Sequence, residues 1–269
     1  MNAPEHALPN IPPPPGAEAQ LRSPAYRIAA LDQDFLLGDS MRGVRFQLEY
    51  AKAEELLRAW GVRSTVVVYG SARVREDGPG RQPHWYAQAR RFGRICSERG
   101  GALKRNGGHC DNVIATGGGP GLMEAANRGA REAGAPTIGF NVTLPHEQAP
   151  NPWTTPELTF NFHYFAMRKM HLAMRARALV VFPGGYGTLD ELFEMLNLRI
   201  TGKAPEAPIV MVDRDYWSRI VDFGALVEAG MISPADAAAF DYADSAEEAW
   251  ALLARRGLAA TPAEPPKQT

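Results

Sequence analysis

Two glycine-rich stretches could do chemistry in this chain. One is Thr116-Gly117-Gly118-Gly119-Pro120-Gly121-Leu122-Met123-Glu124; the other is Phe182-Pro183-Gly184-Gly185-Tyr186-Gly187-Thr188-Leu189-Asp190-Glu191. Glycines let backbone approach an anion with no Cβ in the way. A helix starting just after them offers unpaired N–H groups and the positive end of its dipole. Thr188 adds a hydroxyl. Neither stretch is a GxxxxGK[ST] loop, and no lysine stands where that motif needs one, so a monophosphate is favoured over a triphosphate with Mg²⁺. Tight strand-to-helix turns also use glycine for local reasons alone; two of them in one sheet tip the reading toward phosphate.

The carboxylates near these turns have two readings each. Thr188-Leu189-Asp190-Glu191 is a capping-box pattern, in which Glu191 would reach back to the backbone N–H of Thr188. Ser245-Ala246-Glu247-Glu248 shows the same pattern with no glycine turn before it. Spacing alone therefore favours Glu191 as a cap, although a carboxylate about 5 Å along a helix from a bound phosphate also reaches a ribose. Glu124, at the third position after Gly121, serves equally as a helix-start charge or a ligand contact.

The elements that must position these turns follow from the apolar pattern. Thr65–Tyr69 is a β-branched run ending in Gly70-Ser71, a buried parallel strand with a tight turn. Before it, Phe46, Ala53, Leu57 and Trp60 mark a helix over about 40–60. After it, Trp85, Ala89, Phe92 and Cys96 form one helical face. Strands are expected at 113–116, 137–142, 179–182 and 208–212. Helices are expected up to about 133, and at 164–177, 188–200, 216–228 and 246–256, with a long loop over 143–161. Alternating strands and helices make βαβ units, so the expected fold is α/β: a doubly wound, Rossmann-like parallel sheet with helices on both faces, as a single domain. In such sheets ligands sit outside the carboxyl ends of the strands, where both glycine turns fall.

Residues 1–24 carry seven prolines and read as an extended or disordered arm, the domain as 25–258, and 259–269 as a second disordered tail. A net charge of −1 gives no reason to expect nucleic acid or a membrane surface as partner. Cys96 and Cys110 fit no CxxC or zinc spacing, and the six histidines include no helical i, i+4 pair, so no metal is expected. There is no basic start followed by an apolar run and no run of about 18 apolar residues, which points to the cytoplasm.

The motifs resemble those of the Lonely Guy (LOG) proteins, cytokinin-activating phosphoribohydrolases long labelled lysine decarboxylases. PGGYGTLDE at 183–191 is similar to their PGGxGTxxE signature, and 117–126 to their GGGxxGLMxA element. Gly70-Ser71 and Arg168-Lys169-Met170 match two further landmarks in order, so the resemblance covers about 65–232. It implies hydrolysis of a nucleoside 5′-monophosphate to free base and ribose 5-phosphate, with Arg168 and Glu191 as the catalytic pair and no cofactor. The candidate substrate-binding residues are Gly70, Ser71, Gly118, Gly119, Gly121, Glu124, Lys169, Gly184, Gly185, Gly187 and Thr188. It also implies a homodimer or higher oligomer. Without it, Arg168 reads as one more exposed helix cation beside Lys169, Arg175 and Arg177.

Three features depart from the family pattern and bear on which base is cleaved, AMP and N6-modified AMP both being open. Met167 stands where Glu often precedes the arginine, 101–112 is extended and includes Lys104, Arg105 and His109, and the loop 145–153 is generous. Two rivals remain. One is a carrier of a nucleotide-like or molybdenum cofactor on the same fold, which would have no need of Arg168 and Glu191 together. The other is a pyridoxal-phosphate decarboxylase, for which Lys169 is the only lysine near the motifs.

Overall fold

A computed structural model describes residues 15–103, 108–143, 149–204 and 207–258. The chain divides into two compact units, Met1–Leu48 and Glu49–Thr269, whereas composition alone set the boundary at residue 24. The first unit holds two short helices, Glu18–Arg22 (α1) and Gln33–Leu37 (α2). Helix α1 lies where an extended arm was expected. Prolines stop at Pro15 and resume at Pro24, and Glu18 and Arg22 complement the helix dipole at its two ends. The rest of the expected arm, 1–14, lies outside the described residues, as does the whole tail 259–269.

Helix α3 spans Arg42–Ala59. The second unit contains one sheet of seven strands: β1 (Thr65–Tyr69), β2 (Val113–Thr116), β3 (Thr137–Val142), β4 (Thr159–Phe162), β5 (Ala176–Val181), β6 (Ile209–Val212) and β7 (Asp241–Ala243). Their order is β4-β3-β2-β1-β5-β6-β7, and every neighbouring pair is parallel. The chain thus builds outward from β1 to one edge, then returns to the other side of β1. That reversal puts a topological switch point between the carboxyl ends of β1 and β5.

Helices cover both faces. Strand side chains alternate with period two, so Val66 and Val68 point to one layer while Val67 and Tyr69 point to the other. The first layer packs α4 (Gln82–Gly100), α5 (Leu122–Glu132) and, later in the chain, a helix at Ala246–Arg255. The opposite layer packs α3, α6 (Phe165–Met174), α7 (Tyr186–Ile200), α8 (Arg214–Ile220) and α9 (Phe223–Glu228). A short α10 (Pro234–Ala237) precedes β7, and Ala246–Arg255 is α11. Both cysteines are free and buried. Among the described residues no helix is long and apolar enough to cross a membrane, and no group of His, Cys, Asp and Glu could hold a metal ion.

Several elements differ from the sequence-based expectation. The loop expected to run to Asn161 ends in strand β4, where Phe160 and Phe162 are buried and Asn161 is exposed. Helix α6 stops at Met174 rather than Arg177, because β5 begins at Ala176 and pairs with β1. The expected helix over 216–228 is two helices, the second starting afresh where the Asp222 carboxylate accepts from the Ala225 N–H. Strand β7 was not foreseen.

Candidate functional site

The two glycine turns meet at the switch point, joined through the backbone of Ser71. The Ser71 N–H donates to the Pro183 carbonyl at 3.0 Å, and its own carbonyl accepts from the Leu122 N–H at 3.1 Å. Its hydroxyl accepts from the Arg73 N–H. Gly70 lies at the bottom of this junction, where a Cβ would press into Leu122 and Phe182.

The first turn is fixed from below. Gly118, at φ +70°, donates its N–H to the Thr116 hydroxyl, and a Cβ there would overlap the Asn141 amide. Asn151 holds the turn by two bonds, its N–H to the Gly118 carbonyl and its amide to the Gly119 carbonyl. Behind them Asn127 accepts from Thr116 and Asn151 and donates to Thr137, a fully buried network. Gly121, at φ +74°, turns the chain into α5 with its Cα against the Ser71 and Ala72 backbone.

The second turn is open on one side. Gly185 and Gly187 are exposed with clear space at their Cα atoms, whereas Gly184 is buried against the Thr188 side chain. The Tyr216 hydroxyl donates to the Gly184 carbonyl at 2.8 Å. Helix α7 begins at Tyr186, two residues before the expected start, on Gly185 and without a capping side chain; α5 likewise begins uncapped on Gly121. Helices α8, α9, α10 and α11 all begin on a capping Asp or Ser. Uncapped glycine starts leave backbone donors for an anion.

The early start of α7 corrects the capping-box reading of Glu191. Thr188 is already inside the helix, and its N–H and that of Leu189 both donate to the Gly185 carbonyl. Ser245, with the same local pattern, does cap its helix by accepting from the Glu248 N–H. Glu191 instead faces α6, and its Oε1 accepts from Arg168 Nη2 at 2.6 Å, both side chains being nearly withdrawn from solvent. Arg168 also lies over the Phe165 ring and against Gly117, which ties the pair to the first turn. The start of α6 is anchored by the Glu49 carboxylate, which accepts from the His163 and Tyr164 N–H groups. Burial pushes the Glu191 carboxyl above the ordinary carboxylate range, against the pull of Arg168 and Lys169.

Two other predicted residues have partners of their own. Lys169 Nζ bridges Asp190 at 2.8 Å and Glu194 at 2.9 Å, so it clamps α6 to α7. Burial lowers the Lys169 ammonium's proton affinity, but those two carboxylates outweigh it and hold it above the ordinary value. A Schiff base needs a neutral amine, so Lys169 does not fit a pyridoxal phosphate site. Glu124 accepts from the Tyr86 hydroxyl on the α4 side and is not brought to the Arg168–Glu191 pair. Lys104 and Arg105, and residues 145–148 of the generous loop, lie outside the described residues. Tyr69, Asn151 and Tyr216, which border the site, carry no motif and were missed. Their only sequence signals are an aromatic at a strand end and polar residues in loop or helix-start positions.

Comparison with known proteins agrees with this architecture. A family model described as "Possible lysine decarboxylase" matches residues 123–253. The probable cytokinin riboside 5′-monophosphate phosphoribohydrolase LOGL5 of Oryza sativa subsp. japonica is 29% identical over 163 residues, 59% of this chain and 60% of the rice protein. The chain therefore spans under two thirds of that relative's length. A second rice relative, probable phosphoribohydrolase LOG4 of the same specificity, is 29% identical over 70% of this chain and 74% of its own. The X-ray structure of the structural-genomics target TM1055 shares the fold, with a TM-score of 0.50, 21% identity, and coverage of 71% of this chain and 99% of that one.

Proposed function

With the chain standing as a relative of the Lonely Guy phosphoribohydrolases, we propose that it hydrolyses the N-glycosidic bond of a nucleoside 5′-monophosphate. The substrate is AMP or an N6-modified AMP of the cytokinin type, and the products are free base and ribose 5-phosphate. The observation that carries this reading is the buried Arg168–Glu191 pair beside two uncapped glycine turns.

The residues divide the work by chemistry. The glycine turns and the starts of α5 and α7 take the phosphate, which sets the ribose over the first turns of α7. Cleavage passes through an oxocarbenium-like state, whose positive ribose an ionised Glu191 stabilises while orienting water. Water oxygen joins C1′, the C1′–N bond gives its electron pair to the base, and the water's proton ends on the base. Arg168, permanently charged, aims Glu191 and reaches phosphate or ribose oxygens with its remaining N–H groups. Assembly as a homodimer or higher oligomer is part of the proposal, and sedimentation reads it.

The test is product analysis on a panel of nucleoside monophosphates, nucleosides and triphosphates. Release of base and ribose 5-phosphate from a monophosphate, but not from its nucleoside, supports the reading and names the base. Tight monophosphate binding with no release from any member would favour the carrier instead.

A further inference from the structure

Tyr69 ends β1 one residue before the site junction, and the register of β1 with β5 sets it beside Val181. The residue is only 5% exposed. Its hydroxyl is nevertheless buried with no well-formed hydrogen bond from the protein. Buried polar groups are almost always paired, and an exception calls for a reason.

The surroundings of the hydroxyl supply one. Tyr69, Glu191, Lys169 and Glu194 line a small cavity whose remaining walls are apolar. Its volume is about 10 Å³. An ideal Cβ on Gly117 would lie 3.6 Å from both the Tyr69 ring and Arg168 Nη1, so Tyr69 and Arg168 converge at the first turn. The charged groups facing Glu191 are Arg168 and Lys169 from α6 and Asp190 and Glu194 from its own helix. The arginine is engaged by Glu191, and the lysine by Asp190 and Glu194. From β1 comes a neutral donor alone.

We propose that Tyr69 is a positioning residue for Glu191, its hydroxyl turned to the carboxylate across the small cavity the two share. A donor on the ionised form favours that form, opposing the burial that disfavours it. Glu191 in turn raises the Tyr69 hydroxyl's proton affinity, second only to burial, as a neighbour in that position must. The role in turnover rests on the phosphoribohydrolase reading; the coupling of Tyr69 to Glu191 does not.

The experiment compares the full-length protein with Tyr69→Phe. The side-chain ¹³C signal of Glu191, assigned by its loss in Glu191→Gln, is titrated in both proteins beside pH profiles of base release and thermal melting. The expected result is a Glu191 midpoint higher by about one pH unit in the variant, with the acid limb of activity moving alongside. The kcat falls about tenfold, KM stays within about twofold, and the melting temperature drops by no more than a few degrees, because a single neutral hydrogen bond has gone. An unmoved Glu191 midpoint overturns the proposal, whether or not activity falls. If the wild-type protein cleaves no monophosphate, the enzymatic reading fails while the titration still decides the coupling.

Discussion

Arg168 Nη2 donates to Glu191 Oε1 at 2.6 Å, with the two side chains 11% and 5% exposed. An ion pair so far from water is costly to form and more costly to halve. Glu191→Gln still offers Arg168 an acceptor, so the variant is expected to fold and to bind monophosphate while kcat falls at least about 100-fold. Arg168→Ala strands a buried carboxylate and is expected to lose both activity and stability. Steady-state base release, with urea unfolding in parallel, separates the two outcomes; wild-type kcat in either variant would remove both residues from the mechanism.

The same burial sets a pH dependence. Glu191 is held above the ordinary carboxylate range, and the proposed chemistry needs it ionised. Activity is therefore expected to be full at high pH and to fall as pH drops through that raised value, above the usual Glu figure of about 4.3. A kcat/KM profile in the free enzyme reads this limb, and a limb at or below the ordinary value contradicts the assignment.

Tyr216 holds the second glycine turn from behind through the Gly184 carbonyl, while its own N–H caps onto Asp213. Asp213 is itself fixed by Trp85 Nε1 at 2.6 Å and by Arg81. Tyr216→Phe removes one neutral hydrogen bond, of about 0.5–1.5 kcal/mol. The expected effect is a KM for monophosphate raised about two- to tenfold, with the global fold intact by circular dichroism.

His171 is buried among Tyr50, Phe140 and Phe162, and burial followed by Arg175 lowers its proton affinity against the opposing pull of Glu54 and the Tyr50 backbone. In the unfolded chain it takes a proton near the ordinary value of about 6.5, before the folded protein does. Stability from this residue is therefore full above that value and is lost as pH falls below it. His171→Phe is expected to flatten this part of the curve of unfolding free energy against pH; an unchanged slope below about 6.5 would count against it.

The central strands were legible because Thr65–Tyr69, Val113–Thr116 and Thr137–Val142 are compact β-branched runs bounded by turn residues. Strands β4 and β7 were not. Each is an edge strand of three or four residues that pairs on one side only, too short for its alternation to stand out. The glycine turns were readable as turns, but local spacing could not tell Thr188 from Ser245 as a helix cap, since only Ser245 caps in the folded chain. The pairing of Arg168 with Glu191 joins residues 23 apart across two helices and a strand, and entered the sequence reading through family resemblance alone. Tyr69 was read as core because a tyrosine in a β-branched run looks apolar; its unpaired hydroxyl exists only in three dimensions.

The most direct measurement is base release from AMP and from adenosine by the wild-type protein and Glu191→Gln, assayed side by side. The expected result is release from AMP by the wild-type protein, little from adenosine, and at least about a 100-fold loss in the variant. Equal cleavage of AMP and adenosine, or equal rates in the two proteins, would contradict it.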